Sequence, residues 1–312
     1  MEAGSRSGLA GHRAGAALIG LPMDLVDVRR RYAEEVCRRA RVTSPAILRA
    51  FATVARERYL GDGPWPIWDP SALAESGSMY RLTPDADPVH VYRDVLIGIE
   101  PARMLNNGQP SGHALWIDAL DPRPGDRLVH IGCGTGYYTA VMTEIVGPTG
   151  AVTAVELDPE LAARARANLS PYASVTVVQA DGTAFDFDPA DAVYVNAGAT
   201  HPLGLWVDRL APNGRMTVPL VRWPTRQAER DAAGCGVFMK FTRSADADVA
   251  RIVSLVQIFP CLGAVDAEAD RRLAEAFGRG VDAGRQYVLR RDRHAQAAEC
   301  WLHGNGYCLT LT

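Results

Sequence analysis

From residue 24 to 41, apolar and small residues recur at helical spacing. Leu25, Val28, Tyr32, Val36, Cys37 and Ala40 share one face. Ser44-Pro45 then supplies an N-cap followed by proline at the first helical position, and a second helix is predicted over 46–54. Residues 61–90 are rich in Gly, Pro, Asp and Trp and read as a long surface segment. The period changes in the middle of the chain. Short apolar runs at 127–131, 151–156, 174–179, 191–195 and 215–221 alternate with helical patterns at 138–146, 161–169 and 203–210. Strands alternating with helices of this length imply right-handed crossovers and a mostly parallel sheet. The later runs at 237–242, 252–260, 287–290 and 307–311 favour antiparallel pairing, with a helix over 266–280. The expected class is α/β, with a helical front section and no internal repeats.

Composition narrows the class without changing it. The 312 residues are 47% apolar and 22% charged, enough to bury a sizeable core. A net charge of −3 argues against a nucleic-acid partner, and the clusters Arg29-Arg30-Arg31 and Arg38-Arg39 read as a solvated helix face. No apolar run reaches the roughly 20 residues that a membrane helix needs. The Gly- and Ala-rich run at 14–21 looks weakly like a signal peptide and reads better as a frayed terminus. Six cysteines form no C-x-x-C pair, so neither a metal site nor a disulfide framework is expected, and a reducing, cytoplasmic setting is. Pairing of Cys300 with Cys308 across a hairpin is the weaker alternative.

The sharpest chemical signal is Ile131-Gly132-Cys133-Gly134-Thr135-Gly136, between a strand and a helix. Dinucleotide folds place their third glycine at the position that Tyr137 fills here. The spacing instead fits the G-x-G-x-G turn of methyltransferases, which cradles the amino-acid end of S-adenosylmethionine. Glu156 ends the next strand, where a carboxylate accepts hydrogen bonds from both ribose hydroxyls. Asp181-Gly182 follows the third strand, on the side expected for the adenine. The candidate cofactor residues are Gly132, Cys133, Gly134, Gly136, Tyr137, Glu156, Leu157, Asp181, Gly182 and Asn196.

With these motifs the chain resembles the protein-L-isoaspartate O-methyltransferases over roughly residues 25–260. Residues 54–60, Val-Ala-Arg-Glu-Arg-Tyr-Leu, resemble that family's Pro-Arg-Glu-Arg-Phe element, and Tyr92-Arg93-Asp94 its Y-x-D segment. Pro124-Gly125-Asp126-Arg127 leads into the glycine turn as in the family, and Thr217-Val218-Pro219 and residues 238–243 resemble its late strands. The resemblance implies a Rossmann-like, seven-stranded class I methyltransferase sheet with a C-terminal α+β extension. It implies transfer of a methyl group to an isoaspartyl or aspartyl carboxylate of a peptide or protein, with S-adenosyl-L-homocysteine as product. The corresponding division is a flexible N-terminus (1–23), a front section with the active-site segment (24–120), the cofactor core (121–262) and the extension (263–312). Oligomeric state is not readable.

Two departures stand out. Gly108 occupies the place where the family carries a serine or threonine before Gln-Pro, and His130 replaces the acid before the glycine turn. A carboxylate acceptor, with a pKa near about 4, is ionised at neutral pH and needs alignment, not a base. Polar donors suffice to hold it, so Asn106, Asn107, Gln109 and Ser111 are candidates, with the segment 107–109 replacing the missing hydroxyl. His113 faces the cleft or packs in its helix; His130 makes a structural or cofactor-side hydrogen bond, with a base as the weaker alternative; Asn196 and His201 are weaker substrate-side candidates. Trp65, Trp68, Tyr80 and Tyr92 supply either a lid or packing. The competing readings are a methyltransferase for a small-molecule hydroxyl or amine with a histidine base, and a non-catalytic module built on the cofactor fold.

Overall fold

The computed structural model describes residues 24–223 and 234–311; the N-terminal segment 1–23 lies outside the described residues. The front section holds α1 (Leu25–Ala40), α2 (Pro45–Thr53), the hairpin β1 (Pro66–Trp68) and β2 (Tyr80–Leu82) with the one-turn α3 (Leu73–Ser76) between them, and the short pair β3 (Gly98–Glu100) and β4 (Leu105–Asn106). Asp24 and Ser44 cap α1 and α2 by accepting the N–H groups of Val26 and Ile47. Arg30 pairs with Asp27 and Glu34, and Arg39 with Glu35, so this basic stretch is an ion-paired solvent face. The next helix, α4 (Pro110–Leu120), opens on the proline of the active-site segment.

The core alternates β5 (Arg127–Ile131), α5 (Tyr137–Val146), β6 (Ala151–Glu156), α6 (Pro159–Leu169), β7 (Val175–Gln179), β8 (Ala190–Val195), α7 (Gly204–Asp208) and β9 (Leu210–Arg222). β10 (Gly234–Thr242) and β11 (Val249–Ile258) follow, then α8 (Ala267–Gly278), β12 (Gln286–Arg290), β13 (Cys300–Gly304) and β14 (Tyr307–Leu311). Strands β5 to β9 are parallel in the order β7-β6-β5-β8-β9, and β10 and β11 continue the sheet antiparallel. These are the seven expected strands. The extension does not form a separate layer: β12, β14 and β13 pair onto the free edge of β11 and lengthen the sheet to ten strands. β13 carries Trp301, Leu302 and His303 and is absent from the sequence pattern, because its irregular register with β14 breaks the two-residue alternation.

Alternate residues along the strands enter opposite cores. Leu128 and Tyr194 join the cluster under α1, α2, α4 and α5, while Val129, Ile131 and Val195 join the one containing Trp206 and Leu273 of α8. Both faces are therefore covered, which explains the near-continuous apolar runs of the parallel strands. The carboxyl ends of β5, β6 and β8 meet at one edge, where such sheets bind ligands. No described helix is long and apolar enough to cross a membrane.

Candidate active site

A cavity of about 1200 Å³ opens at that edge. Gly132, Gly134, Glu156 and Asn196 line it. Gly134 adopts φ +56°, and a Cβ placed there would meet nothing within 4 Å. The loop thus turns in a conformation that suits glycine and leaves its open side free for close approach by a ligand. Glu156 is buried, with Oε2 accepting the Gly134 N–H at 2.7 Å and Oε1 the Asp158 N–H at 3.1 Å. Burial raises its pKa, and the backbone donors oppose that rise. The Asn196 amide donates to the Gly132 carbonyl at 3.4 Å and braces the turn. A glycine cradle beside a buried acceptor-only carboxylate fits S-adenosylmethionine, whose ribose presents two hydroxyl donors.

Glu156→Gln is expected to weaken S-adenosyl-L-homocysteine binding roughly 10- to 100-fold, the worth of charged hydrogen bonds, as read by calorimetry. Affinity is expected to be full above the raised pKa of Glu156 and to fall as pH drops through it. That loss begins at higher pH than an exposed glutamate would give. Wild-type affinity for the Gln variant would remove Glu156 from the site.

The other expected cofactor residues do different jobs. Cys133 is buried, and its N–H bonds to the Val155 carbonyl at 3.1 Å. Gly136 caps α5 and packs against Leu169. Tyr137 points away from the cavity, its hydroxyl 3.1 Å from that of Tyr32 and its ring edge-on to Phe51 and Tyr59, because α5 packs onto the front helices. Leu157 is exposed. Asp181 closes a turn onto the Thr183 N–H and hydroxyl, and the Gly182 carbonyl accepts the Trp206 indole at 2.8 Å. None of these six lines the cavity.

The same cavity is lined by Asn106, Gly108, Gln109, Ser111, Gly112 and His113. Asn106 accepts the Gly108 N–H at 2.9 Å and lines the cavity. Asn107 does not line the cavity. It is buried, and its Oδ1 accepts two hydrogen bonds from Arg56 at 3.3 Å. Gln109 and Ser111 line the cavity, but their polar atoms are engaged by Asp94. The Asp94 carboxylate takes the Ser111 N–H and hydroxyl at 2.8 Å each and the Gln109 amide at 3.3 Å, capping α4.

His113 fills the gap. Gly108 has φ +76°, and a Cβ there would lie 2.3 Å from His113 Nε2. The imidazole therefore occupies the space that a side chain at 108 would use. Its ring stacks on Tyr138 at 3.5 Å with planes 5° apart, its Nδ1 lies 2.8 Å from the Tyr194 hydroxyl, and Tyr138 donates to the Gly108 carbonyl at 3.2 Å. Burial holds His113 well below the usual histidine pKa, so it is neutral at pH 7.

Two organising residues carried motif signals without an assigned role. Arg56 is fully buried and donates to the carbonyls of Val91, Arg93 and Val95 at 2.8–2.9 Å as well as to Asn107. Asp94, from the Y-x-D segment, is the α4 cap just described. The remaining candidates separate clearly. His130 is buried with Nδ1 2.8 Å from the Thr139 hydroxyl, and burial lowers its pKa to about 3, which fits a structural hydrogen bond. His201 stacks on Tyr307 of the extension and does not line the cavity. Trp68 lines the cavity, whereas Trp65, Tyr80 and Tyr92 are buried packing residues.

The chain is similar to known proteins in sequence and in fold. The family described as protein-L-isoaspartate(D-aspartate) O-methyltransferase matches residues 83–239, half of the chain. A protein-L-isoaspartate O-methyltransferase 2 of Archaeoglobus fulgidus is 40% identical over 117 residues, 35% of this chain and 53% of that protein. The chain thus spans about half the length of that curated relative. A protein-L-isoaspartate O-methyltransferase of Aeropyrum pernix is 31% identical over 208 residues, 62% of this chain and 67% of that protein. A solved structure of a protein-L-isoaspartate O-methyltransferase superposes with a TM-score of 0.59 at 18% identity, covering 91% of this chain and 88% of that one, which shows a shared fold. By sequence, the chain belongs to the protein-L-isoaspartate(D-aspartate) O-methyltransferase family.

Proposed function

We propose that this protein methylates a carboxylate of a peptide or protein, an isoaspartyl or aspartyl side chain, with S-adenosylmethionine. The observation that carries the reading is the placement of His113 Nε2 at Gly108, in the same cavity as Gly134 and Glu156. When bound, S-adenosylmethionine supplies a methyl group on a positively charged sulfur, and a carboxylate oxygen attacking it in line becomes a methyl ester with no proton exchanged. What the chain must supply is position and exclusion of water. Glu156 and the glycine turn hold the cofactor end. Leu96, Ile99 and Trp116 add apolar lining to the cavity, and the Trp116 ring lies 5.1 Å from that of His113.

His113 positions the acceptor. Burial holds the Tyr194 phenol well above its usual pKa, so it keeps its proton and donates it to His113 Nδ1. The imidazole proton then sits on Nε2 and donates to a carboxylate oxygen. The same burial makes His113 a poor general base, which weighs against a hydroxyl or amine acceptor. The open glycine turn and buried Glu156 weigh against a non-catalytic module.

His113→Ala is expected to lower turnover about 10²-fold, the scale for losing one positioned donor, with S-adenosyl-L-homocysteine affinity retained. The assay uses labelled cofactor with an isoaspartyl peptide and its aspartyl twin. Product that releases methanol in mild alkali supports the carboxylate reading, and alkali-stable product would sink it.

A further inference from the structure

We propose that His294, Cys300, His303 and Cys308 form a structural zinc site that staples the C-terminal hairpin to the segment before it. The four side chains come from the 291–299 segment, β13 and β14, and their ligand atoms all lie within 4.8 Å of one another. His303 and Cys308 are cross-strand partners, and the irregular register between Cys300 and Leu302 turns Cys300 toward them. His294 Nε2 lies 3.8 Å from Cys300 Sγ, and the two imidazoles stand edge to face at 4.8 Å. Tetrahedral zinc, with Zn–S of about 2.3 Å and Zn–N of about 2.0 Å, sets its ligand atoms roughly 3.3–3.8 Å apart. A contraction of about 1 Å by side-chain rotation therefore closes the site.

Three surrounding features point to a metal rather than to chance proximity. His303 Nδ1 is buried without a hydrogen-bond partner among the described residues, which leaves a costly orphan that a ligand would satisfy. The Ala297 N–H donates to Cys300 Sγ at 3.3 Å, an arrangement that stabilises a thiolate. His294 Nδ1 faces the Asp292 carbonyl at 3.1 Å and its carboxylate at 3.3 Å, and Arg290 grips that carboxylate. A carboxylate behind an imidazole fixes the tautomer that presents Nε2 to a metal. Binding releases two thiol protons to solvent and transfers no electrons. The resulting two-thiolate, two-imidazole zinc site is neutral. Four protein ligands leave no open position, so the site is structural, and none of the four residues lines the methyl-transfer cavity. The sequence pattern hides it, because no two of its cysteines have C-x-x-C spacing.

The test uses the untagged full chain, expressed with zinc and purified with a thiol reductant and no chelator. Elemental analysis is expected to find one zinc per chain. The stripped, reduced protein titrated with Co²⁺ is expected to show tetrahedral d–d bands and a thiolate charge-transfer band, both displaced by zinc. Cys308→Ser and His294→Gln are each expected to lose the stoichiometric metal. The second lies outside the strands and leaves the hairpin pairing intact, so a folding failure of the first does not decide the question. Absence of zinc together with no tetrahedral cobalt spectrum would overturn the proposal. So would retention of the metal by both variants.

Discussion

Arg56→Met is expected to destabilise the fold by about 4 kcal/mol or more, a large share of the 5–15 kcal/mol that holds a typical domain together. The guanidinium is fully buried and has no carboxylate partner within hydrogen-bonding distance among the described residues. Its charge is met by the carbonyls of Val91, Arg93 and Val95, by the Asn107 amide oxygen, and by the rings of Tyr32 and Tyr137 at 5.7 and 5.9 Å. Methionine fills much of the volume and satisfies none of these acceptors. Each orphaned buried acceptor costs about 1–3 kcal/mol, and the costs are not fully additive because the loop relaxes. Arg56→Lys keeps the charge but concentrates its three donors on one atom, so it is expected to recover only part of the loss. Urea unfolding measures both; an unchanged midpoint for the methionine variant would show that the network contributes nothing net. The same network holds the segment leading into Gly108, so both variants are also expected to blunt turnover.

Restoring the family hydroxyl should harm this protein. Gly108→Ser is expected to cut turnover more than 10-fold, because the new Cβ would sit 2.3 Å from His113 Nε2 on a backbone with φ +76°. A contact that short must be relieved, and the His113 ring is clamped between Tyr138 and Tyr194. The double variant Gly108→Ser, His113→Ala opens that space and is expected to exceed the product of the two single effects. Such non-additivity is the signature of two residues sharing one site. Strict additivity in the cycle would mean that His113 and position 108 do not compete for the acceptor, and the positioning role of His113 would fall.

The cofactor end was largely legible because its chemistry is local. A turn of three alternating glycines and a carboxylate at the next strand end fix their roles within a few residues, and Gly132, Gly134, Glu156 and Asn196 do wall the cavity. The Tyr137 side chain turns to the front helices instead, because helical spacing says which residues follow the turn but not which face meets those helices. At the acceptor end, residue type suggested amide donors, yet Asn107 is engaged by Arg56, 51 positions earlier, and Ser111 by Asp94, 17 positions earlier. A polar side chain's availability depends on its partners, and sequence order does not list them.

By itself, the sequence determined the α/β alternation, the seven core strands, the glycine turn and the place where the family hydroxyl is missing. The first three follow from periodicity or from backbone demands that act over a few residues; the last follows from the resemblance to the family. Only the tertiary structure decided that His113 takes the space above Gly108, and that the extension pairs onto β11 and brings two histidines and two cysteines together. Those outcomes depend on strand register and on packing between segments distant in sequence, where a shift of one residue turns a side chain to the opposite face.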